Sequence, residues 1–192
     1  MREVGTIVRL QIQRSSLKTG EKPNRRYDPA PLLSVERLAV SPNGVLGQSD
    51  GDAWLVDVHH RAHPQTKNED GLHGLSVGFT SHYAEMRQRF GPHVAVGVAG
   101  ENIIVASDRH VTWDEMAPGC AVLDAAGREL VRLRVLQPAH PCRPFTGWAL
   151  GGQVETAVLK EHLQFLDDGM RGYYAVAEGT AVLEEGMVLA LL

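Results

Sequence analysis

Cys142 has the chemistry and the surroundings of a functional residue. It is one of two cysteines in the chain and lies in the stretch QPAHPCRPF, residues 137–145. A thiolate is both a nucleophile and a soft metal ligand, and the nearby cations His140 and Arg143 would favour that form. The prolines restrict the backbone, which predicts a stiff loop at the end of a strand. The alternative is a small buried apolar side chain, as most free cysteines are. That alternative is favoured for Cys120, which begins a predicted strand.

Arg171 is a candidate anion-binding residue. It lies in GMRGYY, residues 169–174. There the glycines permit a close backbone approach, and a guanidinium can grip a phosphate through two N–H groups. The alternative is a turn after a helix, with the arginine facing solvent. Upstream, Glu101 and Asn102 in GEN place a carboxylate and an amide where a strand begins. They are candidate pocket residues, or parts of a turn in which Asn102 caps backbone groups.

The histidines of HHRAH, residues 59–63, raise the possibility of a zinc site. On a helix, His59 and His63 would share one face and could bind zinc, as in a zinc-dependent hydrolase. However, Pro64 follows directly, and the sequence identifies no third ligand by its spacing. A solvated loop is therefore the favoured interpretation.

The composition describes an ordinary globular protein and excludes several classes. The chain has 192 residues, 43% hydrophobic and 22% charged, with a formal net charge of −4. A mildly acidic chain is a poor general nucleic-acid binder, and no apolar run reaches the roughly 20 residues of a membrane span. Two cysteines and an N-terminus without a signal-peptide core indicate a cytoplasmic protein with free thiols and neither nucleic-acid nor membrane partners.

Common motifs of other enzyme classes are missing from the sequence. It contains no G-x-G-x-x-G, no Walker-type lysine loop, no G-x-S-x-G and no C-x-x-C. These absences argue against the usual nucleotide-binding, hydrolase and dithiol redox classes.

The elements that must position these residues are mostly short strands. Two segments have helical spacing, Thr80–Gly91 and Val154–Leu166; Thr80 or Ser81 could cap the first and Gly91 could end it. Polar connections cover Ser16–Pro31 and His59–Gly74. The remaining pattern predicts an α+β domain rich in strands, with a barrel as the favoured architecture. The strands are expected at Val4–Ile12, Leu32–Val40, Val45–Gly47, Ala53–Val58, Leu75–Phe79, Gly100–Ser107, the hairpin Ala121–Gln137 and the end of the chain.

The order of the short motifs resembles one family. A Gly-Val-x-Gly turn at residues 44–47, LHGLSVGFTSHYAEMRQRFG, GENI, PCRPF and GMRGYY follow one another. This order resembles the MOSC domain, named for the C-terminal domain of molybdenum-cofactor sulfurases, over roughly residues 32–192. The resemblance implies a mostly β, MOSC-type barrel with a few peripheral helices. We expect a single domain over residues 1–192, with a core at about 32–192 and the N-terminal strand 3–12 packed on it.

The resemblance also implies a site for the molybdenum cofactor, molybdopterin. Cys142 would ligate molybdenum or carry sulfur, and Arg171 would bind the cofactor phosphate. Glu101, Asn102, Arg143 and His73 complete the set of expected cofactor-binding residues. One departure is that the family often has Gly-Asp, followed shortly by a histidine, where this chain has Gly47–Gln48.

Four functions remain open from the sequence. The first is reduction of N-hydroxylated small molecules by oxygen-atom transfer, with an external electron donor because no flavin or iron–sulfur motif is visible. The second is a sulfur-carrier or cofactor-delivery module that accepts persulfide from a separate cysteine desulfurase. The third is a zinc-dependent hydrolase built on His59, His63 and an unidentified ligand, and the fourth is a structural or interaction barrel in which Cys142 only packs.

Overall fold

The computed structural model describes residues 1–49, 51, 53–152 and 155–192. Strands dominate, as expected, and short helices lie between them. In chain order the elements are β1 (Arg2–Gln13), β2 (Lys18–Thr19), β3 (Arg26–Tyr27), β4 (Leu32–Ser34), β5 (Arg37–Ser41), β6 (Gly44–Gln48), β7 (Trp54–Val56), β8 (Leu75–Phe79), α1 (Thr80–Phe90), β9 (Ile103–Val105), α2 (Trp113–Met116), β10 (Cys120–Leu123), β11 (Glu129–Pro138), α3 (Arg143–Ala149), α4 (Thr156–Phe165), β12 (Tyr173–Ala177), β13 (Ala181–Glu184) and β14 (Val188–Leu191).

Seven strands form a closed barrel, which confirms the predicted architecture. Their order is β14-β10-β11-β12-β8-β9-β1, and β1 closes the ring by pairing with β14. Neighbouring strands are antiparallel except β8 and β9, which run parallel. The N-terminal strand β1 is therefore one of the barrel strands and is paired on both sides.

A second, four-stranded sheet with the order β13-β5-β6-β7 accompanies the barrel. The turn SPNG, residues 41–44, joins β5 to β6, with Ser41 opposite Gly44. The expected single strand Leu32–Val40 is divided in two, because the chain changes partners in the middle. The Val35 amide donates to Leu10 of β1, whereas the next amide, that of Glu36, donates to Gln48 of β6.

The core lies inside the barrel and follows the alternation of the strands. In β11, Val131, Leu133 and Val135 are buried, whereas Arg132 and Arg134 are exposed. A separate cluster beside the barrel packs α1, α3 and the segments around them.

The helices differ from expectation in their ends and their number. Phe79 precedes α1, no side chain caps it, and Gly91 ends it with a φ of 111°. The predicted start of the second long helix at Val154 lies outside the described residues. Two short helices were not predicted. Thr112 and Glu115 form a capping box at the start of α2. Helix α3 begins at Arg143 and has a proline in its first turn, a position that proline tolerates.

Across the residues that the structure describes, every helix is too short or too polar to cross a membrane.

Candidate functional site

Segments distant in sequence meet around one cavity of about 180 Å³, here called the Arg171 cavity. Most of the ionisable side chains in its wall are cationic or can become so, and Glu101 is the one carboxylate among its described wall residues. Such a lining favours an anionic ligand. The wall consists of Gln13, Leu17, Lys18, Tyr27, His59, Lys67, His73, Ser76, Ala99, Gly100, Glu101, Ala139, His140, Arg171 and Tyr174.

Arg171 is held rigidly in this wall. Its Nη1 donates to the His140 carbonyl at 3.2 Å, and its Nη2 donates to the Ala99 carbonyl at 3.1 Å. The guanidinium carbon also lies 4.4 Å from the centre of the Phe145 ring, a cation–π contact. Burial opposes the charge, but the Cys142 sulfur and other negative groups outweigh it and raise the pKa of Arg171. Within the described residues its Nε is buried without a hydrogen-bond partner. The alternative of a solvent-facing arginine is therefore not what the structure shows.

The turn before β12 explains why Arg171 points inward. Gly169 and Gly172 both have left-handed backbone angles, with φ of 87° and 82°. The Gly172 amide donates to the Gly169 carbonyl at 2.7 Å and closes the turn. A side chain at Gly172 would overlap the Val77 carbonyl oxygen, so only glycine lets the two strands approach.

Cys142 lies next to this arginine. It is half-buried and immediately precedes α3, where its carbonyl accepts hydrogen bonds from the backbone and side chain of Thr146, both at 3.0 Å. Its sulfur is 3.7 Å from Arg171 Nη1. Cys142 is not one of the described wall residues of the cavity, but it contacts Arg171, which is. Cys120, in contrast, is fully buried in β10, and burial raises the pKa of its thiol to about 12.

Glu101 brings a buried carboxyl to the cavity. The Tyr83 hydroxyl donates to its Oε2, and within the described residues its Oε1 is buried without a partner. Burial raises the pKa of Glu101 above its ordinary value, although the Tyr83 hydrogen bond and Arg171 act in the opposite direction. Gly78 makes room for the Glu101 side chain, because a Cβ atom at position 78 would lie only 2.7 Å from Glu101 Oε1.

Asn102, the neighbour of Glu101, is placed differently. Its Nδ2 donates to the Gln11 carbonyl at 3.2 Å and to Asp57 Oδ2 at 3.1 Å. Its Oδ1 accepts from the Ser76 amide at 3.0 Å. The side chain thus ties three segments together and does not belong to the described wall. This position matches the alternative in which Asn102 serves backbone groups.

His73 does line the cavity. Its Nδ1 lies 3.1 Å from Asp70 Oδ1, and Gln137 Nε2 donates to its Nε2 at 2.8 Å. Its ring also meets the ring of Tyr174 edge-on, with centroids 4.7 Å apart. These contacts fix the orientation of the imidazole in the wall.

Arg143 is separated from the other predicted residues. Its side chain is exposed and lines a neighbouring groove of about 960 Å³, together with Arg25, Arg26 and Trp148. The reason is that Arg143 begins α3, so its side chain leaves the helix on a different side from Cys142. Tyr27 lines both spaces, which makes them neighbours.

Several residues of the site could not be identified from the sequence. Lys67 comes from the polar loop after β7, and its ammonium donates to Ser16 Oγ at 2.8 Å. The side chain is exposed overall, but partial burial of the ammonium group and the nearby Lys18 lower the pKa of Lys67 to about 8. No local pattern marks a lysine in a loop as part of a cavity. His59 was singled out in HHRAH as a possible zinc ligand, but the favoured interpretation of that segment was a solvated loop.

The structure offers no ligand set for zinc in the part of the chain that it describes. There, no group of three or more His, Cys, Asp or Glu side chains could hold a metal ion. Nδ1 of His59 is engaged with Asp57 at 3.0 Å, whereas Nε2 of His63 lies 3.3 Å from the Arg14 carbonyl oxygen.

Comparison with known proteins agrees with this fold. The fold is similar to that of YuaD from Bacillus subtilis, at 11% sequence identity and a TM-score of 0.62, covering 98% of this chain and 96% of that one. It is also similar to YiiM from Geobacillus stearothermophilus, at 15% identity and a TM-score of 0.51, covering 100% of this chain and 74% of that one. At such identities the likeness establishes the fold alone.

The sequence comparisons identify the family. No curated protein sequence matches the chain significantly. The MOSC domain matches residues 75–190, more than half of the chain, and this span contains GENI, PCRPF and GMRGYY. The chain therefore belongs to the MOSC domain family.

Proposed function

We propose that this protein binds the molybdenum cofactor at the Arg171 cavity and reduces N-hydroxylated small molecules with electrons from an external donor. Cys142 would supply the thiolate ligand to molybdenum, and Arg171 would bind the cofactor phosphate. The observation that carries the proposal is the position of one guanidinium, which lines a cationic cavity and lies 3.7 Å from the Cys142 sulfur.

The phosphate end of the cofactor fits the residues of the cavity. Arg171 is held in place by two carbonyls and a phenyl ring, so little freedom is lost when it binds an anion. Its Nε has no partner among the described residues and is an unused donor. Lys67 and Lys18 add two further cations to the same wall. Together these groups suit a phosphate, which favours charge-assisted hydrogen bonds.

The Cys142 thiol suits the molybdenum end of the cofactor. A half-buried cysteine beside a fixed cation suits a soft metal ion, because sulfur is a soft donor and the guanidinium would balance the charge of a metal-bound thiolate. When bound, the cofactor would supply the two-electron chemistry, and the protein would bind, orient and exchange protons with the substrate.

The size of the cavity limits which part of the cofactor lies inside. Pockets for ligands of this class usually span about 300–1,000 Å³, whereas the Arg171 cavity measures about 180 Å³. The phosphate fits as the cavity stands, and a pterin must extend through its open side. Tyr27, which is shared with the larger groove, lies where such an extension would pass.

The proposed function is tested by an activity assay. Protein from a host that makes the cofactor is mixed with a chemical reductant and an N-hydroxylated amidine, and formation of the amidine is measured. We expect turnover by the wild type and by Cys120→Ala, and loss of turnover by Cys142→Ser. Equal turnover by the wild type and Cys142→Ser would overturn the assignment of the thiol.

A second candidate is sulfur transfer without redox turnover. It is favoured by the half-exposed position of Cys142 at the start of α3, which a partner protein could reach. Arg171 would stabilise a persulfide anion as it would a thiolate. Intact-mass analysis after incubation with a cysteine desulfurase and cysteine would then show one added sulfur atom in the wild type and none in Cys142→Ser. A thiol that stays unmodified would rule this function out.

A further inference from the structure

Asp57 and His59 form a pair at the Arg171 cavity that the proposed function does not yet use. Asp57 follows β7 and is fully buried, whereas His59 is 8% exposed and lines the cavity. His59 Nδ1 lies 3.0 Å from Asp57 Oδ1, so the two side chains are hydrogen-bonded. The pair lies in a loop of the site, and the sequence marked only its histidine.

Asp57 is positioned by a complete set of donors. Its Oδ1 accepts from both the backbone amide and the ring Nδ1 of His59, at 2.7 and 3.0 Å. Its Oδ2 accepts from the Gln13 amide at 2.6 Å and from Asn102 Nδ2 at 3.1 Å. Four donors on one carboxylate leave it no freedom to turn and suit its ionised form, which only accepts. Asn102 does not line the cavity, but its hydrogen bond to Asp57 helps to position the Asp57–His59 pair.

This arrangement determines which ring nitrogen of His59 carries the proton. Because the carboxylate accepts at Nδ1, neutral His59 must have its hydrogen there and its lone pair at Nε2. Within the described part of the chain, no hydrogen-bond partner for Nε2 is found. The other ionisable groups in the wall around it are Lys18, Tyr27, Lys67, His73, Glu101, His140, Arg171 and Tyr174.

We propose that His59 is the proton-transfer residue of the Arg171 cavity, and that Asp57 and Asn102 are its positioning residues. The proposal rests on the proposed function and assigns the protons of that reaction. Reduction of an N-hydroxylated compound consumes two electrons and two protons: R2N–OH + 2 e⁻ + 2 H⁺ gives R2NH and H2O. The N–O bond breaks, and the external donor supplies the electron pair that reduces the nitrogen.

His59 delivers one of the two protons. Protonated at Nε2 from solvent, it gives that proton to the nitrogen as the N–O bond breaks, and a second proton from solvent converts the departing hydroxide into water. The buried Asp57 carboxylate accepts from Nδ1 throughout and so holds the ring in the same orientation before and after the transfer. This is the role of the carboxylate in acid–base pairs of this type.

The first test needs neither metal nor turnover. In the metal-free protein, the ¹⁵N chemical shifts of the His59 ring report which nitrogen carries the hydrogen. We expect the Nδ1–H form in the wild type and a shift toward the Nε2–H form in Asp57→Asn, since the new amide can donate to Nδ1. A wild-type ring in the Nε2–H form would overturn the proposal whatever the activity.

The second test separates proton transfer from binding. His59→Gln keeps the size and polarity of the side chain but cannot shuttle a proton. It should lower kcat by about 100-fold or more, with KM and molybdenum content unchanged. His63→Gln, in the same loop, is the matched control and should behave as the wild type.

The outcomes distinguish this proposal from the proposed function. Full kcat in His59→Gln would overturn proton transfer by His59 and leave the reductase function intact. Loss of molybdenum or a raised KM in His59→Gln would make it a binding residue and would also overturn the proposal. A wild-type protein that neither contains molybdenum nor turns over the substrate would overturn the reductase function, and the proposed role of His59 with it. Because Asp57→Asn disturbs a buried network and could fail to fold, His59→Gln decides the matter on its own.

Discussion

The fixed position of the Arg171 guanidinium is what makes it suitable as an anion ligand. Two carbonyl acceptors and the Phe145 ring hold it, yet Nε remains without a partner among the described residues. An exposed arginine would lose considerable side-chain entropy on binding, and this one has already lost most of it. The same guanidinium lies beside the Cys142 sulfur, so phosphate binding and thiolate chemistry would share one cation.

His82 provides a prediction about pH at the scale of one residue. It is buried in α1, its Nε2 accepts from the Val111 amide at 3.1 Å, and its ring stacks on His110. Burial, and then the nearby His110, lower the pKa of His82 from 6.5 to about 4. The unfolded chain therefore binds a proton at a higher pH than the folded chain does. The resulting stability is present above pH 6.5 and is lost as the pH falls toward 4.

The expected loss is about 3 kcal/mol across that window. Urea unfolding of the wild type should show it between about pH 7 and about pH 4. His82→Gln keeps an acceptor for the Val111 amide but does not titrate, so its free energy of unfolding should fall less. Because all other groups titrate in both proteins, the difference between them isolates His82. An equal decline in the two proteins would contradict this account.

The individual residues differ in how well the sequence predicted them. Arg171, Glu101 and His73 were expected to bind a cofactor, and all three line the Arg171 cavity, whereas Asn102 and Arg143 of the same expected set are not among its described wall residues. Their roles in binding stay predictions. Lys67 and Asp57 were not predicted, because a lysine in a loop and an aspartate after a strand have no distinctive local pattern. Their roles arise from tertiary contacts, Lys67 with Ser16 and Asp57 with Asn102.

At the scale of elements, α3 shows that a motif can indicate the right family while the local structure predicted for it is wrong. PCRPF was expected to be a stiff loop, but the chain enters a helix at Arg143. Proline was taken as a sign of a loop, although its fixed φ and missing N–H suit the first turn of a helix. As a consequence, Cys142 lies beside Arg171, and Arg143 faces the neighbouring groove.

The turn before β12 gives a prediction at this scale. Gly172 and Gly186 both have left-handed angles, with φ of 82° and 90°. A side chain at Gly172 would overlap the Val77 carbonyl oxygen, whereas nothing lies within 4 Å of one at Gly186. We expect Gly186→Ala to cost about 1–2 kcal/mol through backbone strain alone, and Gly172→Ala about 3 kcal/mol or more.

Urea unfolding of the two variants beside the wild type measures this difference. Gly186→Ala is the matched control, since it carries the same strain without the overlap. If the two variants lose the same free energy of unfolding, the close approach of the Arg171 turn to β8 is not a structural requirement.

At the scale of the whole molecule, closure of the barrel assembles the site. Strand β8 lies between β12 and β9, so the Arg171 turn before β12 meets the GEN segment before β9. The fold class was predictable because strand alternation is a local pattern and the order of several short motifs adds to it. The meeting of loops in space was less predictable, since it depends on which strands pair. The strand Leu32–Val40 divides for the same reason, because its two halves pair with different sheets.

Molybdenum and pterin content per chain tests the central claim most directly. Wild type, Cys142→Ser and Cys120→Ala are purified side by side from a host that makes the cofactor. We predict near-stoichiometric molybdenum and pterin in the wild type and in Cys120→Ala, whose thiol is sealed in the core. We predict at least about tenfold less molybdenum in Cys142→Ser. A wild type without metal, or a Cys142→Ser protein with as much molybdenum as the wild type, would contradict the account.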